Sequence, residues 1–294
     1  MRAAVQLPTV ARSGGGPDHG GVDVPDASTW SNWPPGLPEL VSAAPLPGGM
    51  VCTVVGGLLA DGRAVVVKRC PYPAEVEADG LAALAAAGAP VPAVLAAHGQ
   101  VLVLERVGVA ETPPDWAGLG RAVARLHRTL GPRHGWHRDN SGGRIVQVNG
   151  WCDDWPTFFV EHRVRVHLAD PAVPDGLRRR LDRACAGPLP ALLPAHPPAS
   201  LTHGDLWAGN VVAGRWLVDP AVAYVDRELE LAFMDSSDSL PREFRAAYRA
   251  EWPPDPGYPR RRPALTLHKL LVNLRHFGDR YVPRIDAVLD GYGW

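Results

Sequence analysis

The segment Leu201-Thr202-His203-Gly204-Asp205-Leu206-Trp207-Ala208-Gly209-Asn210 leads into the β-branched pair Val211-Val212. It sets an aspartate five residues ahead of an asparagine in a loop that enters a strand. That spacing suits phosphoryl transfer. The carboxylate accepts the proton of an attacking hydroxyl while the amide oxygen beside it binds a magnesium ion. Nine residues beyond Asn210, past a turn at Gly214, comes Asp219 in Leu217-Val218-Asp219-Pro220. A hairpin of that length returns Asp219 to the side of Asn210 as a second hard oxygen ligand. Taken singly, Asp205 and Asn210 could simply cap a turn, and Asp219 could open the next loop. The ordered series His-x-Asp-x4-Asn-x8-Asp is better explained by the chemistry.

Upstream, Val65-Val66-Val67-Lys68 ends a β-branched run. A lysine there reaches phosphate oxygens if an acidic residue on the following helix holds it. Glu77 is the first candidate and Glu75 the second. Only two of the 30 basic residues are lysines, Lys68 and Lys269, which makes a lysine in a chemically sensible place noticeable. Pro47-Gly48-Gly49-Met50 precedes the first central strand, where the backbone N–H groups of Gly48 and Gly49 could cover phosphates. Leu102–Val107 reads as a hinge, with backbone groups of Glu105 and Val107 facing an adenine edge. No role is evident for the Glu105 side chain.

These residues need elements to hold them. Val51–Leu59 and Arg63–Lys68 read as two strands closed by the turn dipeptide Asp61-Gly62. Glu75–Ala87, stopped by Gly88, reads as a helix, and Val101–Val107 as a further strand. Beyond that the helical period dominates. Trp116, Leu119, Val123, Leu126 and Leu130 recur at spacings of three and four behind a possible cap at Asp115. Thr157–Leu168, Asp175–Ala186 and Leu265–Phe277 are further helices. Short strands Asn210–Ala213 and Trp216–Val218 flank Gly214. The pattern is an α+β chain: a small β-rich lobe over residues 37–107, then a larger helical lobe over 108–294. Residues 1–36, with Gly14-Gly15-Gly16 and Pro34-Pro35, read as a flexible Gly/Pro-rich tail.

Composition excludes several classes. The 294 residues carry 30 basic and 31 acidic side chains, a net charge of −1. That gives no electrostatic case for nucleic acid or an anionic membrane. Arg178-Arg179-Arg180 and Arg260-Arg261-Arg262 read as solvated faces. The 31 glycines and 31 prolines fit a GC-rich genome better than a functional demand. No apolar stretch is long enough to span a bilayer, and no signal peptide is evident, so a cytoplasmic protein is expected. Cys52, Cys70, Cys152 and Cys185 are scattered with no C-x-x-C pair, so reduced thiols are expected, Cys52 included.

With these motifs in view, the chain resembles the fructosamine (ketosamine) kinase family, relatives of the aminoglycoside and choline phosphotransferases. His203-Gly204-Asp205-Leu206-Trp207-x-Gly209-Asn210 is similar to that family's catalytic loop. Gly135-Trp136-His137-Arg138-Asp139-Asn140 and Trp155-x-x-Phe158-Phe159-x-Glu161-x-Arg163 resemble two further segments. So do Asp226-Arg227-Glu228-x-Glu230-Leu231-Ala232 and Leu270 through Gly278. The likeness runs from about Val41 to Tyr292. Glu230 stands where an Asp is commoner, Val225 where Gly is usual, and the phosphate loop lacks the usual polar residues.

The resemblance implies a two-lobed protein-kinase-like fold and ATP-dependent phosphorylation of a ketosamine 3-hydroxyl, leading to deglycation. It implies Asp205 as base, Asn210 and Asp219 on Mg2+, Lys68 on the α/β-phosphates and Glu77 pairing with Lys68. His203 reads as a support of the loop. Trp207 either walls the acceptor pocket or packs into the core, and His137 and Asp139 are further substrate-side candidates. His127 and His134 read as structural or near the substrate, since nothing completes a metal-ligand spacing around them. The expected partners are ATP, Mg2+ and a free or protein-bound ketosamine, with the chain a monomer. A small-molecule kinase of the aminoglycoside or choline type, or a nucleotide-binding pseudoenzyme, is the alternative.

Overall fold

The computed structural model describes residues 32–46, 51–108, 112–237 and 239–294. The Gly48-Gly49 turn and residues 1–31 of the expected tail lie outside the described residues.

The first unit is a five-stranded antiparallel sheet. Its strands are β1 (Leu40–Pro45), β2 (Thr53–Leu59), β3 (Ala64–Arg69), β4 (Val94–His98) and β5 (Val101–Glu105), in the order β1-β2-β3-β5-β4. Helix α1 (Glu75–Ala86) crosses between β3 and β4. The period-2 alternation of strands sorts the side chains. Val101 and Val103 of β5 join Val65 and Val67 of β3 in one buried cluster. Leu102 and Leu104 point the other way and pack with Leu81 of α1. With both faces covered, β5 is apolar along its run, which is why its signal is strong. The period also decides where Lys68 goes: beside Val67 in sequence, it faces the α1 side.

Two expectations for this region need correction. Trp33, inside the expected flexible tail, packs against the Val65/Val67 cluster, and its indole N–H donates to the Pro38 carbonyl at 3.2 Å. A large aromatic that finds an apolar sheet face has a reason to dock. Cys52 and Cys70 are joined in a disulfide, with Cα atoms 4.3 Å apart. The β2–β3 ladder pairs Thr53 with Arg69 at its open end. One step further along the same register sets Cys52 opposite Cys70, although 18 residues separate them in sequence. Cys152 and Cys185 are free thiols, as expected.

The remainder is mainly helical. Helix α2 (Trp116–Leu126) starts at Asp115, whose Oδ1 accepts the Gly118 N–H at 2.8 Å. Gly120 of α2 lets α7 (Arg242–Glu251) approach so closely that a Cβ there would collide with the Phe244 carbonyl. The other helices are α3 (Trp155–Phe159), α4 (Asp175–Cys185), α5 (Pro188–Leu192), α6 (Glu228–Ser237), α8 (Tyr258–Leu265), α9 (Leu267–Phe277) and α10 (Val282–Tyr292). Their core is continuous and holds Trp155, Phe158, Phe159, Leu181, Leu271 and Ile285, each fully buried. Three short antiparallel pairs complete the fold: β6 (Asn140–Gly142) with β7 (Ile145–Gln147), β8 (Ser200–Thr202) with β11 (Ala223–Val225), and β9 (Val211–Val212) with β10 (Trp216–Leu217).

The helix expected over Thr157–Leu168 is not uniform. After α3 the chain widens into a π turn at Val160–Val164 and tightens into a 3-10 turn at Arg165–His167. The widened turn puts Arg163 inside the protein, where its guanidinium donates to the Val148 carbonyl and to Asn149 Oδ1, both at 2.6 Å, above the Phe158 ring. Buried arginine needs such partners, and a regular helix would not deliver it to them.

Candidate active site

The loop between β8 and β9 carries His203, Asp205 and Asn210, ending in a 3-10 turn at Ala208–Asn210. Gly204 has φ +83°, and a Cβ there would collide with the Ala221 carbonyl, so only glycine fits. The two N–H groups at this bend are taken by one carboxylate. Glu230 Oε2 accepts from His203 at 3.1 Å and Oε1 from Gly204 at 2.6 Å. Behind it, His127 Nε2 lies 2.9 Å from Glu230 Oε2, and His127 Nδ1 lies 2.7 Å from the Tyr248 hydroxyl. Burial alone would raise the Glu230 carboxyl, but the hydrogen bonds it accepts from His127 and from the His203 N–H lower it.

His203 is wholly buried. Its Nε2 lies 3.0 Å from the Val218 carbonyl and its Nδ1 3.3 Å from the Asp205 N–H. That pattern requires the proton on Nε2, so the ring is neutral, and burial lowers its pKa accordingly. It ties the loop to the strand leading to Asp219, which is the supporting place expected for it.

Asp205 projects from this bend with a third of its side chain exposed. Asn210 Nδ2 donates to Oδ2 at 3.0 Å and to the Asp205 carbonyl at 2.9 Å. Lys269 of α9 donates to Oδ1 at 2.8 Å. Burial opposes the Asp205 charge, but Lys269 outweighs it and holds the carboxyl below its ordinary value. Asp205 is therefore ionised and aimed, as a proton acceptor must be.

Asn210 spends its amide nitrogen on Asp205, which directs its oxygen elsewhere. The Asn210 carbonyl accepts the Val218 N–H at 3.1 Å, bringing Asp219 alongside. Asp219 holds a left-handed backbone, φ +56°, unusual outside glycine though least costly for Asp and Asn. Backbone strain of this kind gathers where a side chain must point somewhere particular. Its carboxylate is about half exposed and touches Lys68. Lys68 Nζ also lies 2.7 Å from both Glu77 oxygens. Glu75 is exposed, so of the two candidates Glu77 is the partner. Burial works against the Lys68 charge, but Glu77 and Asp219 outweigh it and keep the amine protonated.

Two hard oxygens, Asn210 Oδ1 and the Asp219 carboxylate, fit Mg2+, which takes one or two protein ligands plus phosphate and water. Among the described residues no group of three or more His, Cys, Asp or Glu could cage an ion without such help.

The remaining candidates fall in several places. Glu105 gives its N–H to the Ala93 carbonyl at 2.9 Å. Val107 follows β5 at the junction with the helical part. Trp207 is 43% exposed and so is no core residue. His137 Nε2 lies 2.9 Å from Asp79 Oδ2 on α1, and the neighbouring Trp136 indole donates to the same oxygen at 3.1 Å. Asp139 Oδ1 accepts the Asn149 N–H at 2.9 Å. The 135–140 segment thus fastens the helical part to α1. Behind the loop, a small pocket is lined by Gln147, Arg163, Glu230, Phe233, His268 and Lys269, among others. Sequence reading gave no role to Lys269 or to Arg163. The scarcity of lysine was the one signal for the first, and the second stood out only as the last residue of the Trp155-to-Arg163 segment, with no role attached.

A small antiparallel sheet with one helix, joined to a helical unit that carries an Asp–Asn–Asp series and faces a Lys–Glu pair, defines the protein-kinase-like class of phosphotransferases. Within that class the profile of the fructosamine kinase family matches residues 68–292. A protein of Enterococcus faecium assigned as a ketoamine kinase is 31% identical over 266 residues, covering 83% of this chain and 95% of its own. The crystal structure of a protein from Thermobifida fusca assigned as a fructosamine-3-kinase superposes with a TM-score of 0.76 at 30% identity, covering 86% of this chain and 93% of that one. A choline/ethanolamine kinase family structure from Mesorhizobium loti, at 18% identity and TM-score 0.52, covers 85% of this chain and 86% of its own, and shares the fold alone. The chain belongs to the fructosamine kinase family, and so to the ATP-dependent phosphotransferases.

Proposed function

We propose that the chain transfers the γ-phosphoryl group of ATP to the 3-hydroxyl of a ketosamine, free or on a protein. The observation that carries this reading is the convergence of Asp205, Asn210, Asp219 and the Lys68–Glu77 pair at one junction, in a chain of this family. Asp205 takes the hydroxyl proton through an oxygen that its neighbours keep ionised and oriented. Lys68, steadied by Glu77, binds the α/β-phosphates. Backbone groups of Glu105 and Val107 meet the adenine edge, and Gly48 and Gly49 supply N–H groups over the phosphates. Asn210 and Asp219 would hold Mg2+, which would supply positive charge to offset that of the phosphates. The exposed ring of Trp207 walls the acceptor side, and His137 and Asp139 are further candidates for meeting the substrate. Phosphate on carbon 3, beside the carbonyl carbon, is readily eliminated, after which the amine is freed; deglycation is the outcome.

Among the described residues no helix is long and apolar enough to cross a membrane. We infer a cytoplasmic enzyme that needs no macromolecular partner beyond a glycated protein. The deciding experiment is mass spectrometry of phosphate transfer from Mg·ATP to a panel of fructosamines, ribulosamines and erythrulosamines. Transfer to carbon 3 of at least one supports the reading. Transfer to choline or an aminoglycoside but to no ketosamine overturns it.

A further inference from the structure

The chain has two lysines, and each touches one of the two aspartates of the site. Lys68 is at Asp219. Lys269 is at Asp205, whose carboxyl it keeps ionised, and no contact with substrate has been given to it so far. It comes from α9, 64 residues after the loop it meets, and its side chain is 11% exposed. Nζ lies 2.8 Å from Asp205 Oδ1 and 4.8 Å above the centre of the Phe233 ring. His268, Arg163 and the Glu230 carboxylate line the same pocket, but Glu230 is taken up by His127 and the His203 and Gly204 N–H groups, so Asp205 is the anion paired with Lys269. A buried ammonium beside an arginine is a poor choice if all that is needed is to hold α9 against the loop; a leucine would do that without desolvating a charge.

The charge count at the transfer point gives the lysine a purpose. A base must sit within about 3 Å of the attacking hydroxyl, with the phosphorus about as far beyond it. Asp205 therefore points a negative charge at a phosphoryl group whose equatorial oxygens carry the negative charge of the transition state. A cation 2.8 Å from Asp205 is within a short swing of those oxygens, and a lysine has three N–H donors, of which Asp205 takes one. We propose that Lys269 is a catalytic lysine that contacts the γ-phosphoryl group while still paired with Asp205. It cancels the repulsion between base and donor and stabilises the charge that develops in transfer. This rests on Asp205 being the base.

The test uses Lys269→Met, which keeps length and removes charge, and Lys269→Arg, which keeps charge, in the full chain. Calorimetric titration without metal compares ATP with ADP, which lacks the γ-phosphate. The methionine variant should bind ADP within twofold of wild type and ATP at least fivefold more weakly. With Mg·ATP and a ketosamine, its kcat should fall about 10²–10³-fold with the ketosamine KM within threefold, and Lys269→Arg should regain at least tenfold of that. Equal weakening for ATP and ADP in the methionine variant, or kcat within threefold of wild type, overturns the proposal. If the methionine variant does not fold, the arginine variant decides: loss of the ATP-over-ADP preference in it also overturns the proposal. Wild-type protein that phosphorylates no ketosamine refutes the proposed function instead, and the two-nucleotide titration still judges Lys269.

Discussion

Glu230 grips the backbone of His203 from 27 residues further along the chain, its Oε2 accepting the His203 N–H at 3.1 Å while its Oε1 takes the next N–H, that of Gly204. One carboxylate thus fixes the bend from which Asp205 projects. Glu230→Ala would leave two buried donors unpaired, at about 1–3 kcal/mol each. Chemical denaturation of this variant should show a loss in that summed range, with kcat reduced as well. A stability change under about 0.5 kcal/mol, the size of an ordinary surface substitution, would mean the bend stands without it.

Asp205→Asn keeps shape and most hydrogen bonding but loses the proton acceptor. The expected fall in kcat is about 10²–10⁴-fold with little change in nucleotide affinity. Turnover within threefold of wild type would show that the hydroxyl loses its proton elsewhere.

Asp219 and Lys68 should separate by their metal dependence. Asp219→Ala removes a negative charge from beside the phosphates, so metal-free ATP should bind as well or better while Mg·ATP binds more weakly. Lys68→Ala removes a positive contact and strands Glu77, so binding should weaken with or without metal. Parallel losses in both titrations would contradict the two roles.

Asp226, buried ahead of α6, has its carboxyl raised to about 7 by burial and by the neighbouring Glu228. A raised acid is protonated in the fold and ionised in the unfolded chain, so its stabilising effect is complete below the unfolded value near 3.8 and is lost as pH rises to about 7. Asp226→Asn keeps an acceptor for the Glu228 N–H, which now lies 3.0 Å from Oδ1. Melting curves of the variant should therefore gain on wild type steadily between pH 4 and 8. A constant difference over that range would put the pKa of Asp226 near its ordinary value.

The Cys52–Cys70 bond closes an 18-residue separation. Constraining a loop of that size in the unfolded chain corresponds to about 3 kcal/mol in the chain-entropy account. Cys52→Ser should melt lower than oxidised wild type, and a reductant should lower wild type towards the variant without moving the variant. Identical melting of wild type with and without reductant would contradict the linkage.

The parts of the site legible in the sequence are those joined over short stretches. Asp205, Asn210 and Asp219 lie on one loop and one hairpin, so order and spacing carried the geometry. Lys68 and Glu77 are nine residues apart across a strand–helix junction, and strand alternation sets their facing. The β2–β3 turn was legible too, and the mirrored positions of Cys52 and Cys70 about Asp61-Gly62 held the signal for their pairing, which scattered spacing concealed. Contacts made across the fold were not legible. Lys269 meets Asp205 only because α9 packs against the loop, and Glu230 reaches His203 from α6. Helices α8 and α10 were hidden by prolines at their first turns, and α8 by Pro263 inside it as well. The arginine-rich α7 was masked by its polar face.

The widened turn at Val160–Val164 makes chain length at that point part of the design. Removing one residue there would restore an ordinary helix and rotate everything before or after it by about 100°. Arg163 would then leave Val148 and Asn149, and α3 and the 3-10 turn would no longer both face the core. Substitutions on the outer side of this segment should be absorbed easily, while insertions and deletions should not. Relatives drifting apart in sequence can exchange side chains there freely so long as the residue count is kept.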